Sequence, residues 1–320
     1  MLEIIGLILP LFGLILIGFV TARIKRQPMD AMGWLNTFII YVALPALFFK
    51  LLARTPVEQL TNWSFILANI GVTFALFTVI FLIGLIARSG IASATIQGLA
   101  AAYGNIGYMG PAIAILAFGE QAAIPVALIF CFENVMHFTV MPTLMALSGG
   151  EKRGPLALIG GVIQSIVLHP FIIATAAGVG AAYLQVDPPE PVERLLDYLA
   201  QAAAPCALFA MGVTLGLRPL KRMPLALGYI LPAKLILHPL AMYLALSYAG
   251  DFDPVWVFTA VLLASLPSAT NVYVIAQQYG VWIERASAAV LLSTFLSIFS
   301  VAAILYLITH DLLPGDFFPG

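Results

Sequence analysis

Ten apolar stretches separated by short polar linkers run the length of the chain, at roughly 4–21, 34–53, 63–87, 94–118, 122–147, 156–184, 195–217, 225–248, 255–279 and 286–308. About twenty apolar residues cross the hydrocarbon core of a bilayer as a helix, so the pattern predicts an all-α polytopic membrane protein with ten transmembrane helices. Two stretches are interrupted at their centres. The fourth reads Ala101-Ala102-Tyr103-Gly104-Asn105-Ile106-Gly107-Tyr108-Met109-Gly110-Pro111 and the ninth Leu266-Pro267-Ser268-Ala269-Thr270-Asn271, where a plain anchor would carry leucine. Backbone groups freed at that depth are costly unless protein or a watered cavity satisfies them, so paired interruptions point to a binding site made of broken helices. The alternative is that Pro111 and Pro267 only kink packed helices. The Gly, Asn, Ser and Thr residues beside them favour the site.

The interruptions fall at matching places in an internal repeat. Ala46-Leu47-Phe48 recurs as Ala207-Leu208-Phe209, and Gly119 after Phe118 recurs as Gly280 after Tyr279, both 161 residues on. With a slip of one residue, Pro10 matches Pro170 and Pro45 matches Pro205. Spans 1 to 5 (residues 1–147) thus map onto spans 6 to 10 (residues 156–309). Five crossings are an odd number, so the second copy enters the membrane inverted, and its fourth helix is the broken ninth.

Charge sets the expected orientation. Loops after odd-numbered spans hold Arg23, Lys25, Arg26, Arg88, Lys152, Arg153, Arg218, Lys221, Arg222 and Arg285, whereas the opposite loops hold Arg54 and Arg194 among acidic Glu58, Glu120, Asp187, Glu190, Glu193, Asp251 and Asp253. By the positive-inside rule the odd loops are cytoplasmic and both termini periplasmic. Composition agrees with a membrane class: 62% of residues are hydrophobic and 9% charged. A net charge of −1 offers no basic surface for nucleic acid. Cys131 and Cys206 lie in apolar segments, which argues against a disulfide framework. The start Met1-Leu2-Glu3 lacks a basic leader and a small-residue cleavage site, so the first apolar stretch is expected to be retained.

The segment from Leu35 to Phe48, the break from Asn105 to Pro111, and Leu266-Pro267 followed by Val274-Ile275-Ala276-Gln277-Gln278-Tyr279-Gly280 resemble the auxin efflux carrier family over essentially the whole chain. Bacterial members look like permeases for small carboxylates such as malate or malonate. The resemblance implies a fold shared with bile-acid and sodium/proton carriers, in which a scaffold of spans 1, 2, 6 and 7 flanks a moving domain of spans 3 to 5 and 8 to 10. It also implies an elevator-type carrier of the bacterial inner membrane. Plant members have a long cytoplasmic loop between the halves, whereas here only Ser148 to Pro155 intervene, so auxin is not inferred as the substrate.

Candidate chemistry gathers in two groups. Half-helices meeting at mid-membrane aim positive N-terminal ends and free N–H groups inward, where a carboxylate would bind. Asn105, Gly110, Pro111, Pro267, Ser268, Thr270 and Asn271 are the expected substrate-binding residues. The second group is ionisable: Glu133, Asn134 and His137 in span 5, and Lys234 and His238 in span 8, each charged residue four positions from a histidine and hence on one helix face. An ionisable residue inside a membrane is a functional candidate because of its insertion cost. In the repeat, Thr294 beside Ser293 and Ser297 occupies the position equivalent to Glu133. Those hydroxyls, freed carbonyls and Glu133 could frame a sodium site, since hard cations prefer oxygen; a proton on Glu133 is the other coupling ion. A purely structural Glu133–Lys234 pair tying two helices together is the competing account. His169 and His238, each before a proline, are expected to pack with a backbone hydrogen bond, and Lys50 to snorkel to the interface. Trp34, Trp63, Trp256 and Trp282 near span ends form an interfacial belt. Gly212 and Gly216 suit close helix packing, either within the chain or in a homodimer.

A membrane enzyme would need a nucleophile or metal cluster, and neither a His-Glu-x-x-His nor a paired-aspartate motif is present. A receptor or channel for a small anion would share the hydrophobicity but not explain the paired breaks. The expectation is therefore a secondary carrier of a small carboxylate, without cofactor, driven by an ion gradient.

Overall fold

Proline, glycine and short polar runs decide where the helices of this chain end. Between them the apolar segments wind into helices, because only a segment that bonds its own backbone can lie in lipid. The computed structural model describes residues 2–56, 58, 61–149, 155–186, 188–217 and 224–317. Lys152, Arg153, Asp187, Arg218, Lys221 and Arg222, used above for orientation, lie outside the described residues.

The helices are α1 (Leu2–Lys25), α2 (Gly33–Ala53), α3 (Trp63–Ile86), α4 (Ile91–Ala102), α5 (Ile106–Phe118), α6 (Ala123–Leu147), α7 (Pro155–Val167), α8 (Pro170–Leu184), α9 (Glu190–Leu217), α10 (Leu227–Ala249), α11 (Pro254–Ala264), α12 (Thr270–Gln278) and α13 (Ile283–Thr309). Among the described residues, seven helices are long and apolar enough to cross a membrane, namely α1, α2, α3, α6, α9, α10 and α13, and there is no strand. The fourth and ninth stretches divide where the sequence predicts. Tyr103 turns extended after α4 (φ −76°, ψ 97°), and Ala269 does so before α12 (φ −61°, ψ 143°).

The sixth stretch divides as well, which the apolar pattern did not anticipate. Pro170 has no N–H, and its ring pushes the preceding residue out of helical backbone, so His169 sits at φ −69° and ψ 128° between α7 and α8. Two further prolines distort helices without breaking them. Ahead of Pro45 and Pro239, α2 and α10 each widen into a π turn, at Ile39–Ala43 and Ala233–Leu237. There the N–H of the residue before proline reaches one position further back than usual, from Leu44 to the Ile39 carbonyl and from His238 to the Ala233 carbonyl.

The chain folds as two compact units. One comprises Met1–Trp63, Gly107–Cys131 and Val167–Arg218. In it α1 lies along α9, and α2 packs on α8 and α9. The approach of α1 to α9 rests on glycine: a methyl group at Gly212 would collide with the Ile15 carbonyl oxygen, and one at Gly216 would come 2.7 Å from that of Phe19. Gly212 and Gly216 are therefore used for packing inside the chain. Phe48, Phe130 and Phe171 stack at centroid distances of 4.7 to 5.7 Å. Lys50, expected only to snorkel, pairs with Asp197 at 2.6 Å, and Arg54 pairs with Glu193.

The other unit comprises Ser64–Ile106, Phe132–Ile166 and Pro219–Gly320. Here α10 packs on α11 and α13, and α4 packs on α12 and α13. Phe65 on α3 meets Trp256 edge-on at 4.9 Å, which fixes α3 to the start of α11. All the buried ionisable residues singled out in spans 5 and 8 belong to this unit.

Candidate functional site

Helix α4 is built of small and apolar residues up to Ala102, and the chain then runs through Tyr103 and Gly104 into Asn105. Between α11 and α12, Pro267 supplies no N–H, and the chain there is extended too. The two extended pieces pair as a minimal antiparallel bridge, Gly104 opposite Ser268. The Asn105 N–H donates to the Pro267 carbonyl and the Ala269 N–H to the Tyr103 carbonyl, both at 2.8 Å. The Ser268 N–H donates to Ser293 Oγ at 3.1 Å, and Ser268 Oγ donates to the Ala100 carbonyl at 2.5 Å. The crossing thus satisfies its freed backbone through its own strands and α13.

Predicted site residues from both interrupted stretches meet here: Asn105, Pro267, Ser268, Thr270 and Asn271 lie at the crossing in this unit. Asn271 Nδ2 donates one of its two N–H bonds to Tyr103 Oη at 3.1 Å, and the side chain remains exposed. Tyr103 in turn donates to Asn134 Oδ1 at 2.8 Å, which ties α6 to the crossing. Gly110 and Pro111 belong to the other unit, inside α5, where Pro111 lines a cavity of about 730 Å³ together with Lys50, Arg54 and Glu120.

The ionisable group is fully buried. Glu133, His137, Lys234 and His238 are each no more than 3% exposed. The π turn in α10 carries Lys234, and its Nζ donates to the Ala264 carbonyl at the C-terminal end of α11 at 3.0 Å. A helix C-terminus is a site of partial negative charge, so the ammonium is held where backbone carbonyls face it. It also lies against the crossing, since a Cβ on Gly104 would come 3.2 Å from Nζ. Lys234 Nζ is 3.0 Å from His238 Nδ1, His238 Nε2 is 3.2 Å from Thr73 Oγ1, and Thr73 Oγ1 donates to Glu133 Oε1 at 2.8 Å.

One competing account and one expectation are corrected by this geometry. Among the described residues Glu133 and Lys234 form no direct ion pair: the pairs lie at Lys50–Asp197, Arg54–Glu193 and Arg194–Glu190, and Lys234 spends its hydrogen bonds on Ala264 and His238. His238, expected to pack with a backbone bond, instead stands between Lys234 and Thr73 through both ring nitrogens. Among the described residues no hydrogen bond joins Thr294 to Glu133. The Thr294 hydroxyl donates to the Val290 carbonyl, Ser297 donates to the Thr294 carbonyl, and Ser293 donates to Val290 while accepting from Ser268. These bonds use the hydroxyl protons of Ser293, Thr294 and Ser297. Among the described residues no group of three or more His, Cys, Asp or Glu side chains is arranged to hold a metal ion.

Sequence reasoning missed Tyr103 and Thr73. Some polar atoms are buried without a protein partner: Glu133 Oε2 and both ring nitrogens of His137, whose ring lies 4.2 Å from that of Tyr103. Such atoms mark a place where a proton, water or ligand group is accommodated. An apolar groove of about 570 Å³ in this unit, lined by Leu235, Leu240, Leu296 and Phe299, receives none of these groups.

Comparison with known proteins identifies the class. The family model described as "Membrane transport protein" matches residues 3–305. The "Putative malonate transporter" of Rhizobium meliloti (strain 1021) is 63% identical over 320 residues, covering all of both chains. An "Uncharacterized transporter" of Methanothermobacter thermautotrophicus is 27% identical over 298 residues, covering 92% of this chain and 95% of that one. The "Uncharacterized transporter YfdV" of Escherichia coli (strain K12) is 25% identical over 305 residues, with 90% and 92% covered.

Proposed function

The chain belongs to the membrane transport protein family, the auxin efflux carriers its broken segments resemble, and from that premise we propose that it is a secondary active carrier of a small carboxylate. It is a multi-pass membrane protein of a transporter family, not an enzyme. In the proposed architecture the seven long helices and the pairs α4/α5, α7/α8 and α11/α12 make ten crossings in two inverted repeats. A scaffold of spans 1, 2, 6 and 7 flanks a moving domain of spans 3 to 5 and 8 to 10 in an elevator-type cycle. The grouping of α1, α2, α8 and α9 in one compact unit and of α3, α4 and α10 to α13 in the other agrees with that reading, whereas α5 with the start of α6 groups with the first unit and α7 with the second.

One observation carries the proposal: a buried lysine ammonium at the crossing of two interrupted helices, with the N-terminus of α12 beside it. A carboxylate needs positive charge and N–H donors in a place shielded from water, and this site supplies both. Thr270 and Asn271 form the first turn of α12, whose N–H groups point out of the helix end. Asn105, Pro267, Ser268, Thr270 and Asn271 with Lys234 are proposed to hold the carboxylate, and Glu133 with Asn134 and His137 to answer the driving ion. Malonate is the substrate to try first, given the name borne by the 63% identical relative.

Purified protein in detergent is expected to show a rise in unfolding temperature with malonate and not with an uncharged diamide of the same length, because a ligand that binds only the folded state stabilises it by mass action. No shift across a panel of mono- and dicarboxylates at several pH values would sink the reading. The carrier is proposed to work as a homodimer in a bacterial inner membrane, with both termini periplasmic. A cysteine replacing Asp251 should then be labelled by an impermeant reagent on intact spheroplasts, and one replacing Arg88 should not. The opposite result would invert the topology.

A further inference from the structure

Four buried side chains on three helices form one unbroken line in the second unit: Lys234 and His238 on α10, Thr73 on α3 and Glu133 on α6. Their hydrogen bonds have a consistent direction. Thr73 donates its only proton to Glu133 Oε1, so its oxygen accepts from His238 Nε2–H, which leaves His238 Nδ1 as acceptor for the Lys234 ammonium. One end of the line touches the helix crossing, at the Ala264 carbonyl and Gly104. The other ends in a carboxylate whose second oxygen has no protein partner.

We propose that Lys234, His238, Thr73 and Glu133 are a proton relay that connects the substrate site to the Glu133 carboxylate, so that the coupling ion is a proton. This deepens the carboxylate-carrier reading and rests on it. The step balances without a co-reactant. A Lys234 N–H bond breaks as His238 Nδ1–H forms, His238 Nε2–H breaks as a new Thr73 O–H forms, and the former Thr73 O–H breaks as Glu133 Oε1–H forms. The ammonium and carboxylate become an amine and a carboxylic acid, His238 changes tautomer, and Thr73 is unchanged. A proton (hydronium) reaching the crossing from the aqueous side then restores the ammonium, and the net result is one proton added at Glu133.

Charge explains why a carrier would use such a line. Moving net charge through a low-dielectric region is costly, so each crossing state should be neutral. Empty, Lys234 ammonium balances Glu133 carboxylate. Loaded with a singly charged carboxylate beside Lys234, hydrogen malonate in the case tested below, the site is neutral only if Glu133 takes a proton. The relay allows Glu133 to be protonated from the crossing although it makes no contact with it. The other titratable group facing these residues is His137, one helical turn from Glu133 on α6 and stacked on Tyr103. Its two ring nitrogens bond to none of the four, so it stands beside the line and not in it.

Thr73→Val keeps the shape of the side chain and removes the hydroxyl; Thr73→Ser keeps the hydroxyl. In proteoliposomes with a pH-sensitive dye inside, malonate-driven proton entry is expected to fall about tenfold or more in Thr73→Val, the scale of losing a positioned proton-transfer group, and to persist in Thr73→Ser. Malonate should still raise the unfolding temperature of both variants. In a Glu133→Gln background, where no proton has to arrive, adding Thr73→Val should leave malonate exchange where Glu133→Gln alone sets it. A packing role would instead lower both backgrounds alike. Equal proton entry in Thr73→Val and wild type, or additive losses in the double variant, would overturn the relay. An infrared measurement after a pH jump needs no substrate: the protonated-carboxyl band lost in Glu133→Gln should change at similar rates in wild type and Thr73→Ser and about tenfold or more slowly in Thr73→Val. If malonate neither binds nor is carried by wild type, the carrier reading fails for malonate, and the rate at which this band changes alone decides the relay: identical rates in Thr73→Val and wild type would overturn it.

Discussion

Glu133→Gln is expected to abolish gradient-driven accumulation of malonate while leaving malonate exchange across the membrane at least partly in place. Glutamine has the size of glutamate, and its amide oxygen can still accept from Thr73, so the hydrogen bond that positions residue 133 survives. Weakening that charge-assisted bond to a neutral one should cost about 1 kcal/mol of stability, and the loss of the counter-charge to the buried Lys234 ammonium adds to it. What is lost is the ability to change charge. With glutamine in place, the loaded site is neutral through Lys234 and a singly charged hydrogen malonate, whereas the empty site keeps an unbalanced ammonium and cannot return. Exchange needs only the loaded crossing; net uptake needs both. The measurement is paired uptake and counterflow of radiolabelled malonate in proteoliposomes of a variant that runs as a single species in detergent. Accumulation against a gradient with unchanged pH and sodium dependence would remove Glu133 from the coupling machinery.

The two central interruptions were legible in the sequence because Gly104, Asn105 and Pro267 stand where an apolar helix has no use for them. The break at His169 was not, although Pro170 was in plain view. Proline does not decide the outcome alone: Pro10, its counterpart in the repeat, sits inside the continuous helix α1, whereas His169 ahead of Pro170 takes extended backbone. Nor does any pattern of apolar residues announce the π turn that carries Lys234, since it follows from which carbonyl the N–H before Pro239 can still reach.

Among site residues, the charged ones were found through their insertion cost, and hydroxyls were misjudged for a physical reason. A threonine in a membrane helix ordinarily donates to the carbonyl four residues back, as Thr78 does to Phe74, Thr95 to Ile91, Thr139 to Val135 and Thr294 to Val290. Thr294, singled out by the repeat, follows that default. Thr73 departs from it and turns to Glu133 and His238, and nothing in one sequence distinguishes it from its neighbours. Tyr103 was quoted as part of a break but given no role, because aromatic residues are common at such places. Its hydroxyl links Asn271 to Asn134 and so joins the crossing to α6.

Lys234→Met is expected to be the most damaging single change in the second unit, and combining it with Glu133→Gln should bring no rescue. Had the two residues been a tie between helices, deleting both charges together would be near neutral, as replacement of buried ion pairs by apolar groups often is. Lys234 instead donates to the Ala264 carbonyl and faces His238 Nδ1, and methionine can donate to neither. Two buried acceptors lose their donor, at about 1 to 3 kcal/mol each, and the C-terminal end of α11 loses its neutralising charge. Both deficits remain whether residue 133 is Glu or Gln. The unfolding temperature in detergent should therefore fall further for Lys234→Met than for Glu133→Gln, and the double variant should unfold no higher than Lys234→Met. Malonate should stabilise neither of the two proteins that lack the lysine, since the positive charge at the crossing is gone. Recovery of expression and thermal stability in the double variant would restore the helix tie and take Lys234 out of the substrate site.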